Sequence, residues 1–253
     1  MTKLALAVLG WWCCVSALLA ADVLIVADEL PAMEVLAKTL NSEAGLASRI
    51  VSQAEMPVRL AGFSDVIVYI HKDLDAAAEA AFIAYAKGGG KLIVLHHSIS
   101  SGKRANKDWF PFLGVSLPQG EADHGGYQWI EGVSFEMVNR TPAHFITTNQ
   151  VSYEGRTSYP LAESTGGEPM MAAFTLHDSE VYLNHALTGP RTLLLGLKYA
   201  DRKSGKTYTQ DTGGWYKAAG NGWVFYFMPG HSVRDFQQPA FLRIVLNAVI
   251  FKP

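Results

Sequence analysis

Short apolar runs that stop abruptly at charged or imidazole side chains recur through the first half of this chain. "ADVLIVADE" (21–29) ends in acids, "FSDVIVYI" (63–70) is followed by His71, and "KLIVL" (91–95) by His96-His97-Ser98. Runs this short, apolar throughout and bounded by polar residues, predict strands buried on both faces. Between them the period lengthens. "PAMEVLAKTLNSE" (31–43) sets Met33, Leu36, Ala37 and Leu40 on one helical face. "DLDAAAEAAFIAYAKGGG" (73–90) begins at acids and stops at glycines, the marks of a helix start and stop. Residues 48–51 predict a further short strand. Strand–helix alternation with apolar strands predicts an α/β fold, its parallel sheet covered on both faces.

The second half is richer in strands. "VSFEMVN", "EVYLNHAL", "RTLLLGLKYA" and "GWVFYFMPG" are the predicted strands, and "QQPAFLRIVLNAVIFK" (237–252) closes the chain as a helix. Residues 100–128 and 147–173 read as long polar insertions, a length usually tied to function or decoration. "SGKT" (204–207) lacks the leading glycine of a phosphate-binding loop and reads as a hairpin turn. No repeat or linker divides the chain, so residues 22–253 read as one domain.

The first residues change the picture. Lys3 precedes an apolar run from Leu4 to Leu19, and Ala20-Ala21 follow. That layout is a secretory signal peptide over residues 1–21, which predicts a secreted or periplasmic protein. About 16 apolar residues are short for spanning a bilayer, so no stable membrane insertion is expected after cleavage. Both cysteines, Cys13 and Cys14, lie in this leader. The mature chain then has no disulfide, no thiolate nucleophile and no cysteine metal ligand. Removing Lys3 leaves 20 basic residues (21 − 1) against 23 acidic, a net −3. No basic patch stands out, so nucleic acid is not an expected partner. Asn139-Arg140-Thr141 fits a glycosylation acceptor in a eukaryotic context.

Open α/β sheets bind ligands beyond the carboxyl ends of their strands. Four of the eight histidines, His71, His96, His97 and His231, fall at predicted strand ends. Three chemistries compete there. Ser98 as a nucleophile needs a tight turn with small flanks, but its neighbours are His97 and Ile99. A divalent metal needs converging imidazoles, which His96, His97, His124 and His231 could supply with Glu121 or Asp123. Adjacent residues on an extended chain point opposite ways, so only one of His96 and His97 is expected to face a given site. A hydrogen-bonding pocket lined by His and Trp is the third reading, and satisfied loop histidines the plain one.

Several motifs resemble the ThuA-like (trehalose utilisation) family. The carriers are Gly222, Val224-Phe225-Tyr226, Gly230-His231, Phe236, Pro239 and Phe241 near the carboxyl end. His97-Ser98 with the aromatic run "WFPFLG", His124, "AHFIT" (143–147), "SEVYLN" (179–184) and Trp215 extend the likeness over nearly all of the mature chain. Phe145 and Ser179 depart from the family pattern, which marks a divergent member. The resemblance implies a flavodoxin-like three-layer sandwich with a mostly parallel central sheet, similar to class I glutamine amidotransferases. Those enzymes carry a cysteine after the strand that here is "KLIVL", so thiolate amidotransferase chemistry is not expected. What the resemblance implies is a role in sugar metabolism. The expected ligand is a sugar or sugar derivative. His97, Ser98, His124 and His231 are the candidate catalytic groups. His96, Glu180 and Tyr182, with Trp109, Trp129 and Trp215 as stacking faces, are the candidate ligand contacts. No cofactor is required, and a divalent metal on His97, His124 and His231 is the alternative, serving a hydrolase or lyase. A non-catalytic sugar-binding or scaffold domain is the other.

Overall fold

A computed structural model describes residues 22–161 and 167–253. The expected leader, residues 1–21, lies outside the described residues. The elements in chain order are β1 (Val23–Ala27), α1 (Leu30–Ala44), β2 (Ser48–Val51), β3 (Asp65–Tyr69), α2 (Ala76–Lys87), β4 (Lys91–Leu95), α3 (Trp109–Leu113), β5 (Val115–Ser116), β6 (Gln128–Asn139), α4 (Phe145–Thr148), β7 (Gly155–Ser158), β8 (Met170–Leu183), β9 (Ala186–Leu187), β10 (Thr192–Ala200), β11 (Thr207–Ala219), β12 (Gly222–Phe227), α5 (Val233–Gln237) and α6 (Pro239–Ile250).

The apolar runs read from the sequence become the parallel half of one ten-stranded sheet, in the order β2-β1-β3-β4-β12. This is the 2-1-3-4-5 order of flavodoxin-like folds, with its switch point between β1 and β3. β1 and β3 are buried along their whole length, as a sheet covered on both faces requires. The chain is thus a flavodoxin-like α/β sandwich. The other half, β11-β10-β6-β8-β7, is antiparallel and extends the same sheet from β12. β5 and β9 form a separate two-stranded ladder.

Helix boundaries follow local chemistry. α1 has proline in its first turn and ends at Gly45 in the left-handed region (φ 66°). The closing helix expected over 237–252 runs from Pro239 to Ile250, and the short α5 precedes it. Gln238 accepts hydrogen bonds from the backbone N–H groups of Ala240 (2.6 Å) and Phe241 (3.2 Å), and Pro239 opens α6. The "SGKT" segment is largely a turn between β10 and β11, as read. Asn139 does not suit glycosylation: it is buried, its Oδ1 accepting from the Thr141 N–H at 2.9 Å. Among the described residues no helix is long and apolar enough to cross a membrane.

The edge where the parallel strands end is held by tight packing at Gly230 (φ 129°). An added Cβ there would meet His96 Cβ and the Phe236 ring, each at 3.3 Å. Gly230→Ala should therefore cost about 1–3 kcal/mol in urea unfolding. Gly62→Ala, where the methyl meets nothing within 4 Å, should cost under ~0.5 kcal/mol. Equal losses at the two positions would show that the strand edge is not close-packed.

Candidate functional site

Four strand ends meet at the carboxyl edge of the parallel half. Asp28 and Glu29 follow β1, His71 follows β3 by one residue, His96 and His97 follow β4, and Gly230-His231 follow β12. β4 does not continue as extended chain. His96 turns at once into a 3-10 turn (His96–Ile99) with φ 41°, a left-handed value uncommon for a residue with a side chain. The alternation of side chains stops where the strand stops. Both His96 and His97 therefore face the same site, contrary to the reading of two opposed histidines.

The acid they face comes from the antiparallel half. β6 and β8 pair with two register irregularities, between Ile130 and Val133 and between Val133 and Phe135, and Asp178 has φ 52°. Bulges of this kind bend and twist a strand pair. Within this irregular stretch Glu180 reaches the edge of the parallel strands. Its Oε2 lies 2.8 Å from His96 Nε2, 3.3 Å from His97 Nε2 and 3.5 Å from His231 Nδ1. His96 Nδ1 donates to the Met228 carbonyl. Tyr182 stacks on His96 at 4.8 Å and 18°. The His231 loop is fastened by Asp235, whose Oδ2 accepts from Ser179 Oγ (2.8 Å), Gly230 N–H (2.9 Å) and His231 N–H (2.9 Å).

Outside this group stands a second pair. His71 Nδ1 lies 2.9 Å from Glu29 Oε1, and its ring stacks on His97 at 4.1 Å and 19°. Asp28 accepts from the backbone N–H groups of His71 and Lys72, each at 2.8 Å. His96, His97 and Glu180 are buried, whereas the side chains of His231 and His71 are 26% and 55% exposed, so the site opens through them. A cavity of about 520 Å³ lies elsewhere, lined by Asp22, Asp65, Lys91, Trp223 and Phe251 among others, and contains no histidine.

The electrostatics separate the histidines. Burial, with His96 beside it, pushes His97 down to about 3 despite Glu180. The Glu180 carboxylate raises His231 against the opposing effect of burial. Burial disfavours ionised Glu180, but hydrogen bonding from His231, His96 and His97 outweighs it and holds the carboxyl well below its usual range. One neutral imidazole and one drawn towards its charged form thus share a single carboxylate.

The sequence from residue 25 to residue 252 matches the family model ThuA, described as trehalose utilisation. The chain belongs to the ThuA family. Solved ThuA-like proteins share its fold at low identity. One from Parabacteroides merdae is 13% identical (TM-score 0.61; 90% of this chain and 88% of that one). One from Bacteroides uniformis is 18% identical (TM-score 0.60; 89% and 88%). A β-galactosidase from Bacillus circulans sp. alkalophilus, 12% identical, shares the fold over 88% of this chain and 30% of its own length (TM-score 0.52). No match was found among curated proteins. Membership supports a role related to carbohydrate metabolism for this ThuA-family chain.

The expected site residues divide sharply. His96, His97, His231, Glu180 and Tyr182 come together. Ser98 lies beneath them, its Oγ donating to the Val68 carbonyl (3.0 Å) and accepting from the Ile70 N–H (3.0 Å). That hydroxyl braces β3 against β4 and is not free to act as a nucleophile. His124 is exposed on a 3-10 turn (Ala122–His124) and is not among the converging donors. His124 does not stand with His97 and His231, whereas His96 and Glu180 do. Nor do Glu121 and Asp123 join the donors, and Asp123 instead accepts from Tyr208 (2.7 Å).

Trp109 and Trp215 are fully buried and cannot offer a face to a ligand. Trp109 donates to the Ser98 carbonyl at 2.7 Å, and the guanidinium of Arg191 sits 4.5 Å from the Trp215 ring centre. Trp129 remains 52% exposed and pairs directly with Tyr182 across β6 and β8. Sequence reasoning left His71 and Glu29 without a role and missed Asp235 and His185. His185 is buried with no hydrogen-bond partner for either ring nitrogen among the described residues, and stacks on Tyr127 at 5.3 Å. Its only sequence signal was a polar residue inside the predicted strand "EVYLNHAL".

These shifts set the acid limb of stability in metal-free protein. Burial holds His185, like His97, at about 3 when folded, below the ordinary 6.5. Between those values the unfolded chain binds more protons, so stability falls as pH falls. Depressed Glu180 adds a loss in the same direction. Raised His231 contributes stability that is full below 6.5 and is lost as pH rises through its folded value. Urea midpoints from pH 4 to 8 should peak near neutrality. His185→Phe should flatten the acid limb by about one proton, or ~1.4 kcal/mol per pH unit. An unchanged limb would mean that His185 is not held neutral.

Proposed function

We propose that this ThuA-family protein is exported and binds a sugar or sugar derivative at the carboxyl edge of the sheet. There it transforms the ligand with the histidines gathered around Glu180. The observation that carries this reading is the convergence of three imidazoles on one carboxylate oxygen at the fold's ligand-binding edge. Environments that drive neighbouring groups apart in acidity supply an acid and a base within one site. His97, held neutral, suits acceptance of a proton from a sugar hydroxyl, and His231, held towards its charged form, suits donation. The exposed Trp129 face, beside Tyr182, suits the apolar face of a sugar ring. Glutamine amidotransfer by a thiolate has no place in this reading. His96-His97-Ser98 occupy the elbow, and no cysteine follows Cys14.

A thermal-shift screen with disaccharides and oxidised (keto) sugars, followed by product analysis, tests it. At least one sugar should stabilise the protein, and Trp129→Ala should weaken its binding roughly 2- to 12-fold. His231→Ala should abolish turnover while leaving the fold intact. Binding without turnover would reduce the protein to a sugar-binding module. No stabilisation by any sugar would remove the reading.

A further inference from the structure

Three imidazole nitrogens are gathered around one carboxylate oxygen of Glu180. His96 Nδ1 donates to the Met228 carbonyl, which turns Nε2 towards Glu180. That nitrogen stands 2.8 Å from Glu180 Oε2. His97 Nε2 and His231 Nδ1 stand 3.3 and 3.5 Å from the same oxygen. Among the described residues His97 Nδ1, on a side chain only 5% exposed, has no hydrogen-bond partner. Three imidazole nitrogens and one carboxylate oxygen thus crowd one point.

We propose that His96, His97, His231 and Glu180 form a binding site for one divalent cation of the zinc class. One ligand atom from each of the four lies within 4.8 Å of all the others. Donors held about 2.0–2.2 Å from a tetrahedral ion stand about 3.3–3.5 Å apart. The 3.3 and 3.5 Å separations from Glu180 Oε2 have this value, and the 2.8 Å one is shorter. The Met228 carbonyl fixes the His96 ring with Nε2 inward, the outer support that a metal-ligating imidazole requires. The left-handed His96 backbone is the kind of strain kept at a working site. Three nitrogens and one carboxylate select a borderline ion such as Zn²⁺ or Co²⁺ over Mg²⁺ or Ca²⁺, which take oxygen shells. A bound ion of this class can polarise an oxygen of a ligand or acidify a water. Glu29, His71 and His97 form a second, three-donor group. Its Glu29 and His71 are largely exposed and already joined to each other, so the four-donor set is the one assigned.

The test is titration of EDTA-stripped full-length protein with Co²⁺, read by visible absorption, and with Zn²⁺, read by calorimetry. One equivalent should bind, with the strong visible bands of a low-coordinate cobalt site. His231→Ala and Glu180→Gln should weaken Zn²⁺ binding by at least ~100-fold, and His71→Ala by under ~3-fold. His231 lies on a partly exposed loop, so its variant reads out the site even if His96→Ala does not fold. No stoichiometric binding, a preference for Mg²⁺, or loss of binding in His71→Ala but not His231→Ala would each overturn the assignment. The probe is the cation alone, so failure here leaves the sugar reading to its own screen.

Discussion

The contact on which this protein's site depends is the Glu180 carboxylate against three imidazoles. A buried carboxylate left unpaired would cost several kcal/mol. The chain avoids that cost by bringing together two parts of the sheet far apart in sequence. His96, His97 and His231 stand on the parallel half, and Glu180 stands at the bulged end of β8 in the antiparallel half. The carboxylate thus ties the extension of the sheet back onto its ligand-binding edge.

Local rules give way in this region. His96 adopts a backbone conformation that side chains rarely take, and at Gly230 opposite it a Cβ would be tightly packed, 3.3 Å from His96 and Phe236. Asp235 gathers three donors so that the His231 loop has one position. Ser98, which reads as a nucleophile candidate, spends its hydroxyl on the backbone of β3, beneath the imidazoles. Violations and supports of this sort cluster where a fold carries function.

The parallel half was legible because each of its strands is a short apolar run bounded by polar residues, a pattern with few other solutions. Much of the antiparallel half was not. Thr207–Ala219 mixes threonine, glycine and charge and was not named among the strands, yet it lies between β10 and β12 in the sheet. Met170–Leu183 begins inside a segment that reads as loop. Both are stabilised by partners across the sheet rather than by their own pattern. The tryptophans misled for a related reason. Sequence marks Trp109 and Trp215 as aromatic, but only packing decides that they fill the core while Trp129 faces solvent.

By itself the sequence determined the α/β class, the strand ends worth inspecting, and the absence of any cysteine after Cys14. These follow from composition and local period, which act over a few residues. Which histidines meet, and which acid they meet, was decided only in three dimensions. His96 joins His97 because the strand ends one residue before the alternation rule would have parted them. His124 stays outside because its turn places it on the exposed surface. Glu180 arrives from 83 positions beyond His97 (180 − 97) through a bulged hairpin. Contacts over such separations depend on closing long loops and bending strands, and no local pattern encodes those geometries.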